Sequence, residues 1–208
     1  MLKANSMKQI LESIKHKKKH GVKQNLLKKA IHGLLTAINT HMPGSSCIRG
    51  SEIYVPEGIP KRTYIANFYN TDDLVGYCYE ALAQEFEQAG FNPIKAPNYK
   101  IFFETLLLRL RRYDDYLKVM LDQSSQQRWE EIMEGIRPVI TYRWEGRFSA
   151  EAVESMFGSF TCEFTETLRE WAELDFPNDH IGAYVARLIN VRAMIERDGA
   201  EWSEMMKQ

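Results

Sequence analysis

Cysteine is scarce in this sequence, and its three cysteines, Cys47, Cys78 and Cys162, are widely separated. No CxxC pair occurs, so the pattern indicates neither a disulfide framework nor a cysteine-ligated zinc site. We therefore expect a reducing, cytoplasmic location. Cys78 and Cys162 fall on apolar helical stripes and are predicted to be small core residues. Cys47 shares a glycine-containing loop with His41, but no catalytic signature surrounds it.

Long apolar runs and short catalytic motifs are also absent. The longest apolar run is far below the roughly 18 residues that a membrane span needs, and the N-terminus lacks the apolar core and cleavage site of a secretory signal. The motifs GxxxxGK(S/T), GxGxxG, GxSxG and HExxH do not occur, which removes the common signatures of phosphate, dinucleotide, serine-hydrolase and zinc-protease sites. We expect a protein that is not an enzyme and needs no cofactor.

Lysine, by contrast, is concentrated at one end of the chain. The first 32 residues contain nine lysines and one acidic residue, a net charge of +8, whereas the whole chain carries −1 and residues 33–208 therefore sum to −9. Blocks of like charge are often binding surfaces or tails. Five of these lysines are predicted to bind a partner: Lys15, Lys17, Lys18, Lys19 and Lys23. His16 and His20 have the i, i+4 spacing of a metal-chelating pair, but the lysines between them disfavour a cation, so we predict no metal site.

Apolar spacing in the basic segment predicts two helices, at residues 6–20 and 22–40. Each of them has one apolar stripe and one face that carries lysines. We expect the two helices to pair as a basic helical hairpin over residues 1–40. This hairpin is predicted to be an arm docked on a single α+β domain over residues 41–208.

Alternating patterns predict a small antiparallel β element in that domain. Glu52–Val55 and Arg62–Tyr69 flank a connection that contains proline, and Tyr64 and Phe68 lie on the same side of the second stretch if it is extended. Val139–Trp144 is predicted to be a further strand. The expected fold class is α+β and predominantly α-helical.

The rest of the chain is predicted to be a helical body. Residues 99–122 are apolar around most of the circumference of a helix, so we expect them to form its buried central helix. Short polar side chains precede other apolar helical patterns. Asn70 or Thr71 is predicted to cap one of these helices, and Ser149 is predicted to cap another.

Two segments near the C-terminus are less regular in pattern. Residues 158–165 fit either a strand or a helix, and the helical stripe that continues through Leu174 favours a helix. A further helix is predicted to be capped by Asn178 and to run to about Asp198. Gly199 is predicted to end it, because glycine readily takes the left-handed conformation of a helix C-terminus.

Aromatic residues and methionines are plentiful, at 24 and nine. Such side chains are enriched at adaptable protein interfaces. Five of them are predicted to contact a partner: Tyr142, Trp144, Trp202, Met205 and Met206. We therefore predict a non-enzymatic protein-interaction module, an adaptor or chaperone-like component of a larger protein complex.

Other interpretations of the lysine-rich segment stay open. It would neutralise phosphates in a nucleic-acid-binding accessory protein, although it has no arginine or aromatic residue with which to read bases. A membrane-surface helix normally carries Trp or Phe anchors, which are missing from residues 1–40. A solvated lysine face without a binding role is the default for a surface helix.

An enzyme whose site is assembled from distant residues is the remaining alternative. The densest ionisable cluster is formed by Arg109, Arg111, Arg112, Asp114 and Asp115. Ion pairs within and between helices explain this cluster more simply than catalysis does.

Overall fold

The regular elements of the described chain are all helices. The computed structural model describes residues 24–40, 55, 58–68, 70–90 and 97–205, and every assigned element within them is helical. The fold class is therefore all-α, and the predicted antiparallel β element is wrong. Within these ranges, no helix has the combination of length and apolar composition that crossing a bilayer requires.

The chain divides into two compact units between Cys78 and Tyr79. The first unit holds α1 (Gln24–Thr40), α2 (Lys61–Asn67) and the start of α3 (Thr71–Gly90), which continues into the second unit. The sequence of the first unit has 12 basic and five acidic residues, whereas that of the second has 15 basic and 23 acidic residues. The charge asymmetry of the sequence thus follows the structural division.

Helix α1 confirms the second of the two predicted N-terminal helices. Its predicted apolar stripe is buried, for example at Ile31 and Leu34. The other predicted helix, at residues 6–20, lies outside the described residues. The predicted hairpin and the predicted boundary after residue 40 therefore remain predictions.

The strand predicted at Arg62–Tyr69 is replaced by helix α2. Tyr64 and Phe68 are both buried, and their rings lie 5.1 Å apart. A spacing of four residues places both side chains on one face of a helix, as period-two alternation would on one face of a strand. Ala66 distinguishes the two, because it lies between them and is exposed. Of the strand predicted at Glu52–Val55, only the last residue is described, and it belongs to no regular element.

The second unit is a helical bundle built around one long helix. Beyond α3, its elements are α4 (Tyr99–Leu110), α5 (Asp114–Gln123), α6 (Gln126–Met133), α7 (Arg137–Ile140), α8 (Ala150–Glu173) and α9 (Ile181–Met205), with 3₁₀ turns at Arg111–Tyr113 and Glu134–Ile136. Helices α5, α6 and α9 each pack against α8, and α9 also packs against α4. The helix on which the others converge is therefore α8.

The single helix predicted at residues 99–122 is divided into α4 and α5. The 3₁₀ turn Arg111–Tyr113 separates them, and within it the Arg111 Nε donates to the Phe176 carbonyl over 2.9 Å. Ile101 and Leu108 on α4 are 60% and 46% exposed. The prediction of a central helix buried on several sides is wrong for this segment, because part of its apolar surface faces solvent.

The strand predicted at Val139–Trp144 is also wrong. Helix α7 ends at Ile140, and the chain then forms a turn in which the Trp144 N–H donates to the Thr141 carbonyl over 2.7 Å. Arg143 in this turn has a φ angle of 73°, which belongs to the left-handed region and is incompatible with a strand. The buried apolar residues of this segment, Val139, Ile140 and Trp144, belong to the end of α7 and the turn that follows, not to a sheet.

Helix α8 confirms the helical interpretation of residues 158–165. Its buried side carries large apolar side chains at helical spacing: Phe157, Phe160, Phe164, Leu168 and Trp171. Ser149 caps this helix as predicted, since its Oγ accepts a hydrogen bond from the Ala152 N–H over 3.2 Å. Asn70 caps α3 in the same way, by accepting from the Asp73 N–H over 2.9 Å.

Helix α9 begins and ends later than predicted. It starts at Ile181 rather than directly after Asn178, and it continues through Gly199 to Met205. A glycine ends a helix when it adopts the left-handed conformation, and the φ angle of Gly199 lies outside that region. Gly199 instead permits a close approach, because a Cβ there would lie only 2.7 Å from the Met156 Sδ.

Candidate functional site

Part of the predicted partner-binding set lies outside the described residues. This group comprises Lys15, Lys17, Lys18, Lys19, Lys23 and Met206. Trp202 and Met205 belong to the last turns of α9. The partner-binding role of all these residues remains a prediction.

Trp144 is buried rather than exposed, which corrects its predicted place on a partner-binding surface. The Arg192 guanidinium lies 5.0 Å from its ring centre. The same guanidinium donates to the carbonyls of Ile140 and Tyr142 over 2.9 and 2.7 Å. Arg192 therefore ties the turn after α7 to α9, and Trp144 is packed beneath this connection. The Tyr142 side chain is half-buried.

The ionisable cluster at the junction of α4 and α5 makes separate contacts rather than one site. Arg109 lies 3.6 Å from Glu85 of α3, and the Arg111 Nε donates to a backbone carbonyl over 2.9 Å. The Asp114 carboxylate accepts the N–H of Asp115 over 2.8 Å. These contacts join helices or satisfy a helix start, as the simpler interpretation of the cluster expects.

A groove of about 1180 Å³ lies between α8 and α9 on the second unit. One wall is the face of α8 from Glu151 to Glu163, and the other is the face of α9 from Val191 to Gly199. The space exists because α8 presents small side chains along this face: Ala152, Ser155 and Ser159. The opposite face of the same helix carries the aromatic core side chains described above.

The inner surface of the groove is apolar and contains two methionines. Met156 is nearly buried, with 6% of its surface exposed, and it packs next to Gly199 of α9. Met194 is 52% exposed, and Val191 and Ile195 are half-buried beside it. Methionine is unbranched and polarizable, so it adapts to partners of irregular shape.

The polar part of the lining is acidic. Glu151, Glu163 and Asp198 line the groove, and no Lys, Arg or His is among the lining residues that the structure describes. Glu163 lies 3.9 Å from Arg187, and Asp198 lies 3.4 Å from Arg197. Both are exposed pairs, which neutralise each other only weakly in high-dielectric solvent. The groove therefore combines apolar side chains with a negative rim.

Cys162 lies at the edge of this groove and is exposed, so its prediction as a core residue is wrong. Residues two apart on a helix point about 200° away from each other, which turns Cys162 away from the buried Phe160. The Gln126 Nε2 lies 3.5 Å from its Sγ. Cys78, in contrast, is buried as predicted.

Sequence reasoning missed the groove because the groove requires the relative position of two helix faces that are far apart in the chain. One signal was nevertheless present. Ala152, Ser155 and Ser159 recur at intervals of three and four, which places small side chains on one face of α8. A helix that is aromatic on one side and small on the other leaves room for a partner on the small side.

Within the described residues, no group of three His, Cys, Asp or Glu side chains is arranged to hold a metal ion. Comparison with protein-family models, curated proteins and solved structures finds no match to this chain. The interpretation of the groove therefore rests on its shape, its apolar side chains and its charge.

Proposed function

We propose that this protein is a non-enzymatic protein-interaction module, an adaptor or chaperone-like component of a larger protein complex. The observation that carries the proposal is the apolar groove between α8 and α9. Its volume of about 1180 Å³ exceeds the roughly 300–1,000 Å³ of typical small-molecule pockets. Two walls formed by helix faces suit another helix, which is a common mode of peptide recognition.

Met194 supports the same proposal. Its side chain is 52% exposed at the edge of the apolar groove, so a partner that fills the groove would also bury it. Transfer of its exposed half out of water on binding would contribute about 1 kcal/mol. Exposure of this side chain does not stabilise the free protein, whereas its burial under a partner would stabilise the complex.

Affinity capture tests this proposal with the full-length tagged protein. The protein is incubated with its native lysate after nuclease treatment and at moderate salt, and captured proteins are identified by mass spectrometry. The groove variant Met194→Glu is compared with Leu174→Glu, a matched control that is 54% exposed and does not line the groove. We expect wild type and control to capture the same protein and Met194→Glu to lose it, because a charge among apolar contacts is costly.

Equal capture by all three proteins would show that the groove is not the binding surface, and capture of no protein by wild type would oppose the interaction function itself. The nucleic-acid alternative has a different signature. Material that disappears on nuclease treatment or with rising salt would support binding through the lysine-rich segment. In that outcome Met194→Glu would have no effect.

A further inference from the structure

We propose that the segment bound in this groove is a basic amphipathic helix of about three turns, supplied by another protein. This inference rests on the proposed function and specifies the chemistry of the partner. Three features of the groove carry it: its length, its apolar inner surface, and the negative sign of every charged residue in its described lining.

The length of the groove sets the size of the bound segment. The wall from Glu151 to Glu163 extends about 18 Å at 1.5 Å per helical residue, and the wall from Val191 to Gly199 extends about 12 Å. A helix lying along the longer wall is covered over about 12 residues, or three turns, and both walls flank about eight of them. The partner segment is therefore short, and it needs only one apolar face.

The inner surface requires apolar anchors at helical spacing on that face. Met156, Val191 and Ile195 offer apolar contacts along the groove, which suit anchors at positions i, i+3 or i+4, and i+7 of a bound helix. Met194 at the rim adjusts its side-chain conformation to the shape of an anchor. The polar side of the bound helix remains near the rim and solvent.

The rim selects for lysine or arginine beside these anchors. Its charged residues are Glu151, Glu163 and Asp198, and the described lining contains no basic residue. Helix α8 as a whole contains six glutamates and one arginine. Charge complementarity favours encounter with a basic segment, and like-charge repulsion disfavours an acidic one.

Two rim carboxylates already have basic neighbours, but these neighbours leave room for a partner. Glu163 and Arg187 are 3.9 Å apart with side chains 51% and 34% exposed, and Asp198 and Arg197 have side chains 60% and 66% exposed. Exposed pairs of this kind contribute little to stability. A partner lysine therefore approaches the carboxylates without breaking a strong interaction.

Peptide binding to the full-length protein tests the inference. Two fluorescent amphipathic peptides of about 15 residues, long enough to form a helix, share the same leucine face and carry either lysine or glutamine on the other face. Fluorescence anisotropy is measured at low and at physiological ionic strength. We expect the lysine peptide to bind about tenfold more tightly at low salt, because three exposed charge pairs add small increments.

Two charge-neutralised proteins locate this preference. The groove protein carries Glu151→Gln, Glu163→Gln and Asp198→Asn. The control carries Glu130→Gln, Glu166→Gln and Glu173→Gln, exposed positions outside the groove that give the same change in net charge. We expect the groove protein to lose the preference for lysine and the control to keep it, with helical content unchanged in both by circular dichroism.

The outcomes separate this inference from the proposed function. If both peptides bind equally and Met194→Glu abolishes both, the groove binds helices and the basic partner is refuted. If the two neutralised proteins lose the lysine preference equally, the preference reflects net charge and the inference is also refuted. If neither peptide binds, both the inference and the assignment of the groove as a helix site fail, whereas affinity capture still reports on the interaction function.

Discussion

Replacing Gly135 by alanine should destabilise the second unit, because Gly135 lies where the 3₁₀ turn Glu134–Ile136 crosses α3. A Cβ on Gly135 would lie 2.7 Å from the Glu87 amide nitrogen and 2.9 Å from the Phe86 carbonyl carbon. Both are backbone atoms, which cannot rotate away as the end of a side chain can. Ordinary contacts of carbon are about 3.5–4.0 Å, so the two segments must separate by about 1 Å.

Forced separation of packed segments typically costs about 1–3 kcal/mol. We expect Gly135→Ala to lower the free energy of unfolding by about 2 kcal/mol, which corresponds to a fall in Tm of about 6 °C for a chain of this size. Gly158 provides the matched control, because it lies inside α8 and a Cβ there would have no atom within 4 Å. Gly158→Ala should raise stability by about 0.5–1 kcal/mol, since alanine loses less backbone entropy than glycine on forming a helix.

Thermal and urea unfolding followed by far-ultraviolet circular dichroism measure both variants. The same chemical change should give opposite signs at the two positions. A Gly135→Ala protein as stable as wild type would refute the close crossing of α3 and the 3₁₀ turn. A Gly158→Ala protein that is destabilised to a similar extent would show that the loss at Gly135 has a different cause.

Two further predictions concern polar contacts of the second unit. Arg192→Leu leaves two backbone carbonyls without their donor and should lower the free energy of unfolding in urea by about 2–4 kcal/mol. The control Arg197→Leu, at an exposed position, should change it by less than about 0.5 kcal/mol. Equal effects of the two substitutions would contradict the structural role of Arg192. The Lys118 amino group lies 2.6 Å from the Asp175 carboxylate, and this hydrogen bond lowers the pKa of Asp175 below its ordinary value of 3.8. Lys118→Met should therefore raise the pKa of Asp175, which an NMR titration measures. A carboxyl group whose pKa is lowered by folding stabilises the protein at pH values above its unfolded-state pKa, and this contribution is lost as the pH falls through the folded-state pKa. Wild type should therefore be more stable than Lys118→Met at neutral pH, and this difference should be absent in strong acid.

Some features that depend on local sequence were predicted correctly. Ser149 was predicted to be a helix cap, and Asn70 was one of two candidates together with Thr71, because a cap depends on a side chain and an N–H three residues away. The stripe through Phe160 and Phe164 indicated a helix, because its spacing extended beyond the length of a strand. Cys78 was placed in the core by the same periodicity.

Features that depend on neighbouring helices could not be predicted in this way. Tyr64 and Phe68 fit both a strand and a helix, and only the exposure of Ala66 separates the two. Gly199 was predicted to end a helix because it is a glycine. In the structure it instead allows α9 to approach Met156, which is 43 positions earlier in the chain. The groove itself depends on the same approach of α8 and α9, and no single segment of the sequence encodes it.

Arg192 also bears on how quickly the proposed partner helix would bind. Its neighbour Val191 lines the groove, and movement of α9 relative to the turn after α7 would break the hydrogen bonds of Arg192 to Ile140 and Tyr142. These hydrogen bonds hold the α9 wall in place, and adjustment to a partner would fall to the exposed Met194 side chain, because exposed side chains change conformation within picoseconds to nanoseconds. Association of the proposed basic helix would then require no slow movement of α9, and its rate would be governed by diffusional encounter and by attraction to the acidic rim.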